Sequence, residues 1–254
     1  MDKAINLLSV IPMRKEPAHR SEMVSQLLFG EYVEMLEEEK DFVKVKGLYD
    51  GYEGWVQKNQ LTVTDQILQT HNYVGVWFDE VLVNGRCNTI PFGSPVYQGT
   101  HPLKFGNTEI RYVVNPEHIW DSSQKQWNSA LLQKVCSFFL DTPYLWGGKS
   151  VFGIDCSGFV QQVFKMFGIK LLRDAYMQAE QGSEIKSLSE VTVGDLAFFQ
   201  NDNGKIVHVG IVLERNKIVH ASGKVTIDII YEKGILNVDT GKRTHQLHSI
   251  RRII

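Results

Sequence analysis

The sequence predicts an α+β protein: helices followed by an antiparallel sheet in its C-terminal half, preceded by one or two small β-barrels. Three observations predict this. Short runs of β-branched and aromatic residues, separated by turn residues, fill the first 120 or so positions. Apolar residues at helical spacing follow between Gln124 and Phe167. Strand-like runs then return and continue to Ile254. The expected organisation is 1–65 for the first β domain, 66–123 for a second small β domain, and 124–254 for the α+β domain.

In the first domain, residues 31–36, 42–45 and 54–56 read as strands, with Glu37-Glu38-Glu39-Lys40 as a solvated hairpin tip. In the second, residues 74–78, 80–83 and 111–114 read as strands, punctuated by Gly93-Ser94-Pro95 and Gly99-Thr100-His101-Pro102. Asn84-Gly85-Arg86-Cys87-Asn88 reads as a turn, and Cys87 within it is given no role. Residues 124–140 read as the helix that opens the third domain, with Cys136 in its apolar run.

The next helix carries the chemistry. Phe159, Val160, Val163, Phe164 and Phe167 form one apolar face at helical period, and Gly168 supplies a stop. Asp155 is a good N-cap, which puts Cys156 in the first turn. Unpaired N–H groups and the helix dipole favour a thiolate there and can hold an oxyanion. A small buried cysteine opening a core helix is the plain alternative. The glycine-rich approach Trp146-Gly147-Gly148, the cap and two histidine-bearing strands reverse that preference.

Those strands are Val207-His208-Val209-Gly210-Ile211 and Ile218-Val219-His220-Ala221-Ser222. Pairing Leu213 with Lys217 around a three-residue loop, with Asn216 left-handed, sets both histidines on one face. His208 then lies opposite Ser222, a diagonal step from His220. A two-residue loop would separate them. His208 would take the Cys156 proton, and His220 would orient His208. The other histidines (19, 71, 101, 118, 245 and 248) read as surface or loop residues. No paired C-x-x-C or H-x-x-x-H spacing supports zinc at a Cys–His–His site, so no metal or cofactor is expected.

Tyr144-x-Trp146-Gly147-Gly148, Asp155-Cys156-Ser157-Gly158, residues 194–199, His208-Val209-Gly210-Ile211 and His220-Ala221-Ser222 together resemble the NlpC-type cell-wall cysteine peptidases, a bacterial branch of the papain-like fold. Residues 21–31 and 50–56 resemble the bacterial SH3-like domain of one subgroup, the γ-D-glutamyl-L-diamino acid endopeptidases, or dipeptidyl-peptidase VI. The resemblance implies a papain-like domain, an SH3-like domain and possession of Cys156, His208 and His220 as nucleophile, base and orienting residue. It implies that Tyr144, Asp155 and Ser157 hold the L-Ala-γ-D-Glu part of a murein peptide. It assigns Glu22 and Tyr52 to the free L-Ala amine. Outside the resemblance, the D-Glu carboxylate needs donors, and Arg173, at the start of the next helical stretch, is read as a further candidate beside Ser157. An amidase or acyltransferase on the same core, and a wall-binding module without turnover, are the alternatives.

At 254 residues, 43% apolar and with a formal charge of −2, the chain gives no reason to expect nucleic acid or an anionic membrane as a partner. It has no run of apolar residues long enough to span a bilayer. Its first residues lack a signal-peptide pattern, and its three cysteines show no disulfide framework, so a cytoplasmic monomer is the expectation.

Overall fold

In the strand Phe42–Gly47, Val43 and Val45 alternate with Lys44 and Lys46, and burial alternates with them. In the computed structural model β-strands of this kind make up the N-terminal half, and others, such as Met23–Leu28 and Glu53–Gln57, are buried along continuous runs. The structure describes residues 2–99, 101–214 and 216–254. Thr100 in an expected turn and Arg215 in the expected histidine hairpin loop lie outside the described residues. The chain divides into two compact units. The first comprises Met1–Lys125, Trp146–Val151 and Lys165–Lys170; the second comprises Gln126–Leu145, Phe152–Phe164 and Leu171–Ile254.

Among the described residues, the first unit begins with a seven-stranded sheet: β1 (Lys3–Asn6), β2 (Val10–Arg14), β3 (Met23–Leu28), β4 (Tyr32–Glu39), β5 (Phe42–Gly47), β6 (Glu53–Gln57) and β7 (Leu61–Val63). Their spatial order is β3-β2-β6-β5-β4-β1-β7. Ala4, Ile11, Met13, Leu27, Val33 and Val56 fill its core. A two-stranded sheet pairs β8 (Asn72–Val74) with the segment Ile119–Asp121, and a four-stranded sheet holds β9 (Phe78–Val83) and β10 (Arg86–Pro91). Ile5, Phe29 and Tyr32 share one apolar cluster with Val81, Tyr97 and Phe105, so the two β regions have a common core.

Three local readings differ from the structure. The strand expected over 74–78 is divided: β8 ends at Val74, the Gly75 N–H adds one more bond in the same register to the His118 carbonyl at 2.7 Å, and β9 begins at Phe78. Cys87 lies in β10 rather than in a turn; the turn is Asn84-Gly85, both with positive φ (49° and 75°), as a tight hairpin needs. The helix expected over 124–140 is the shorter α1 (Ser129–Ser137), because the Asn128 side chain caps it by accepting from the Leu131 N–H at 2.9 Å.

The second unit holds α1, most of α2 (Cys156–Lys165), the short α3 (Ala175–Gln178) and a sheet. One apolar face was expected on α2, yet every residue from Cys156 to Phe167 is buried. The sheet consists of β14 (Ser183–Ile185), β15 (Leu196–Gln200), β16 (Ile206–Glu214), β17 (Lys217–Ser222), β18 (Lys224–Tyr231), β19 (Gly234–Leu236) and β20 (Arg243–Arg252), numbering β11 (Leu103–Phe105), β12 (Thr108–Tyr112) and β13 (Ile119–Asp121) before them. Its order is β14-β20-β15-β16-β17-β18-β19, and β19 also pairs with β20. That last pairing closes six strands into a barrel, which removes the sheet edges around its core of Ala197, Phe199, Val212, Ile218, Ile230 and Ile250. The architecture is α+β, as the sequence predicts.

Candidate active site

Cys156 opens α2 and is 5% exposed. Asp155 caps the helix, its Oδ1 accepting from the Gly158 N–H at 2.7 Å. The cap is itself clamped. Arg173 Nη2 reaches Asp155 Oδ2 at 2.6 Å, and Nη1 donates to Asp155 Oδ1 and to Ser157 Oγ, both at 3.0 Å. Ser157 Oγ also donates to Asp155 Oδ1 at 3.3 Å. Asp155, Ser157 and Arg173 are all buried, so this cluster is a rigid seat for the helix start. Arg173, expected as a helper for a substrate carboxylate, is committed to Asp155 and Ser157.

Burial pushes the Cys156 thiol up to about 12, and the Asp155 charge acts in the same direction. The backbone of Val209, the Arg173 charge and the backbone of Ser157 oppose this without overcoming it. Burial therefore opposes the thiolate that the helix dipole favours. Val209 follows His208 in β16, so the thiol lies against the strand that carries the base. Tyr144 is half-buried; burial and then the nearby Cys156 raise its hydroxyl pKa.

The hairpin β16–β17 reaches the expected register by another route. Glu214 pairs with Lys217, which leaves a two-residue connection, and a bulge between Val212 and Glu214 absorbs one residue. Beyond the bulge, Val212 faces Ile218 and Gly210 faces His220. Parity is restored, and His208 and His220 share a face. His208 Nε2 lies 2.9 Å from His220 Nδ1.

Two residues of this cluster escaped the sequence reading. Asp228, on β18, places Oδ2 3.0 Å from His220 Nε2. The Asn237 amide and the Val238 N–H donate to Asp228, and these bonds with His220 hold its carboxyl below the usual range against the effect of burial. His245, expected at the surface, is half-buried on β20. Its ring stacks on His208 at 4.1 Å between centroids and 25° between planes. Asp228 stands opposite Ile218 across β17–β18, and its polar residue in a buried strand was the available signal.

The charges decide the tautomers. Ionised Asp228 accepts from His220 Nε2–H, which leaves His220 Nδ1 as an acceptor. His208 then donates through Nε2–H, and its Nδ1 keeps the lone pair. Burial, reinforced by His220 and His245, holds the His208 imidazole well below its ordinary pKa. The basic atom of His208 is thus fixed by a carboxylate two hydrogen bonds away.

Glu22 and Tyr52 belong to the first unit. Glu22 accepts from Trp146 Nε1 at 2.8 Å and faces Lys15 Nζ at 3.3 Å. Tyr52 is half-buried against the core of the seven-stranded sheet, and its N–H donates to Asp50 Oδ1.

Residues 141–244 match the NlpC/P60 family model, and residues 13–61 match that of the bacterial dipeptidyl-peptidase SH3 domain. The chain is 32% identical over 238 residues to the γ-D-glutamyl-L-lysine dipeptidyl-peptidase of Bacillus subtilis, covering 84% of this chain and 79% of that protein. It is 30% identical over 248 residues to dipeptidyl-peptidase 6 of Lysinibacillus sphaericus, covering 86% and 87%. A crystal structure of an NlpC/P60 family protein from Bacillus cereus shares the fold, with a TM-score of 0.81 and 20% identity over 99% of both chains. The chain belongs to the NlpC/P60 family of cysteine peptidases and carries an N-terminal bacterial SH3 domain.

Proposed function

We propose that the protein hydrolyses the γ-D-glutamyl–L-diamino acid bond of murein stem peptides with a free N-terminal L-Ala, and releases L-Ala-γ-D-Glu. The observation that carries the chemistry is the chain His208–His220–Asp228, with its base beside the strand backbone that meets the Cys156 thiol. The substrate follows from the named activities of the two relatives.

The steps follow from the tautomers. His208 Nδ1 takes the thiol proton, and the thiolate sulfur attacks the γ-carbonyl carbon. The first-turn N–H of Cys156 holds the oxyanion. His208 returns the proton to the departing amine as the carbon–nitrogen bond breaks, leaving a thioester. Water, activated by His208, hydrolyses it and restores the thiol. Asp228 stabilises the imidazolium through His220 in both halves.

Tyr144, Asp155 and Ser157 are proposed for the L-Ala-γ-D-Glu part, and Glu22 and Tyr52 for its amine. An ammonium group taken out of water needs an anionic partner, which Glu22 supplies in this reading. The free thiols of Cys87, Cys136 and Cys156 suit a reducing compartment and support recovery of wall fragments inside the cell.

The test is incubation with L-Ala-γ-D-Glu-meso-diaminopimelate, its L-Lys counterpart and the N-acetylated form of each, followed by mass spectrometry. Release of L-Ala-γ-D-Glu from the free-amine peptides is expected, with none from Cys156→Ala and little from the acetylated peptides. No cleavage of either peptide under reducing conditions would remove the reading. Full-rate cleavage of the acetylated peptides would remove Glu22 from the amine.

A further inference from the structure

His208, His220 and His245 come from three strands of the barrel, and each offers a ring nitrogen within 4.8 Å of the others. Two of these nitrogens, His208 Nε2 and His220 Nδ1, are 2.9 Å apart and share a single proton. The Asp228 carboxylate on His220 Nε2 makes Nδ1 the acceptor. This is the arrangement in which an outer carboxylate orients a metal-ligating histidine and raises its basicity.

We propose that these three histidines form a site for a divalent transition-metal ion of the zinc class, and that metal occupancy and catalysis exclude each other. Neutral imidazole is the usual nitrogen ligand for such ions. The ion takes the place of the shared proton. His208 then carries its proton on Nδ1 instead of Nε2, and both facing lone pairs reach the ion. No net proton is gained or lost by the ring.

His245 supplies the third nitrogen. Tetrahedral zinc–nitrogen bonds put ligand nitrogens roughly 3.3 Å apart, so the His208–His220 pair must open slightly from 2.9 Å and His245 must close in. The larger movement falls to His245, which is half-buried while His208 and His220 are 5% and 1% exposed. Turning its ring out of the stack with His208 aims a nitrogen at the ion. Water or the substrate side of the cleft completes the coordination.

Exclusion follows from the tautomer. With the ion bound, His208 Nδ1 bears a proton and accepts nothing from the thiol. The base is lost without any change in Cys156. Zinc would therefore stop a thiol peptidase here by way of its histidines, a route distinct from capture of the thiolate. The inhibition rests on the peptidase reading; the binding does not.

The test is calorimetric titration of zinc into the Cys156→Ala protein, which removes the sulfur ligand. One ion per chain is expected. Adding His245→Phe, or His245→Gln as a second variant, should weaken binding by roughly tenfold or more; circular dichroism identifies a variant that has not folded. Cobalt in the wild-type protein should give d–d bands without a sulfur-to-cobalt charge-transfer band. Binding to wild type but not to Cys156→Ala would overturn the site, as would unchanged affinity in both folded His245 variants. Calorimetry needs no turnover, so failure of the peptidase reading leaves this test intact. If the enzyme does cleave stem peptide, undiminished cleavage with zinc at saturation would overturn the exclusion.

Discussion

Two hydrogen bonds separate Asp228 from the nitrogen that takes the thiol proton, yet the carboxylate charge sets the state of that nitrogen. Asp228→Asn tests this. An asparagine amide donates to His220 Nε2, so His220 must carry its proton on Nδ1 and donate to His208 Nε2. The His208 proton moves to Nδ1, and the basic lone pair disappears. We expect kcat for stem-peptide cleavage to fall by about a hundredfold or more, with KM nearly unchanged. Equal kcat in the variant would show that the tautomer is set elsewhere. Cys156 and Asp155 were legible in the sequence because cap, nucleophile and helix are contiguous. His208 and His220 were legible as a hairpin. Asp228 and His245 were not, since they reach the cluster from β18 and β20 only after the sheet closes; a carboxylate among isoleucines is the one local mark of Asp228, and His245 has none.

At the scale of elements, the β16–β17 hairpin shows how a correct register can arise from a wrongly expected loop. The offset between the histidines is set by the loop and the bulge together. Whether that offset is absorbed in the loop or in a bulge at Leu213 is a packing decision that the residue pattern does not display. Gly210 belongs to the same device. It faces His220, and a Cβ there would lie 2.7 Å from Ile218 Cδ1 and 2.9 Å from His220 Cβ. His220 Cβ is the stem of a strand residue, and Ile218 is fully buried in the closed barrel, so neither has much room to give. Gly210→Ala should cost about 1–3 kcal/mol of stability by urea denaturation. It should also lower kcat, because the displaced residue is His220. A variant as stable as wild type would mean that β17 yields more easily than its packing indicates. The α+β class and most strands were readable from periodicity, whereas the full burial of α2 was not: Gln161, Gln162 and Lys165 read as a polar face and are covered all the same.

At the scale of the whole chain, a buried charge cluster joins segments far apart in sequence. Within the first unit, Glu31 Oε1 meets Lys165 Nζ at 3.0 Å and Oε2 meets Lys149 Nζ at 3.4 Å. The Leu28 N–H donates to Oε2 at 3.0 Å, and all three charged side chains are at most 5% exposed. Lys165 Nζ also lies 5.0 Å from the ring centroids of Tyr49 and Tyr73. Burial raises the Glu31 pKa, but the two lysines and the Leu28 N–H outweigh it and bring the carboxyl from 4.5 to about 2. A depressed carboxylate pKa means that folding favours the ionised form. Its stabilisation is complete above the unfolded value and is lost as pH falls from 4.5 towards 2. Glu31→Gln leaves two buried ammonium groups without their anion, which should cost about 3–5 kcal/mol at neutral pH. Urea denaturation of both proteins across that range should show wild type losing its advantage as the solution is acidified, while the variant lacks this part of the dependence. A constant difference between the two from pH 7 down to pH 2 would show that shape rather than charge holds Lys149 and Lys165 in place.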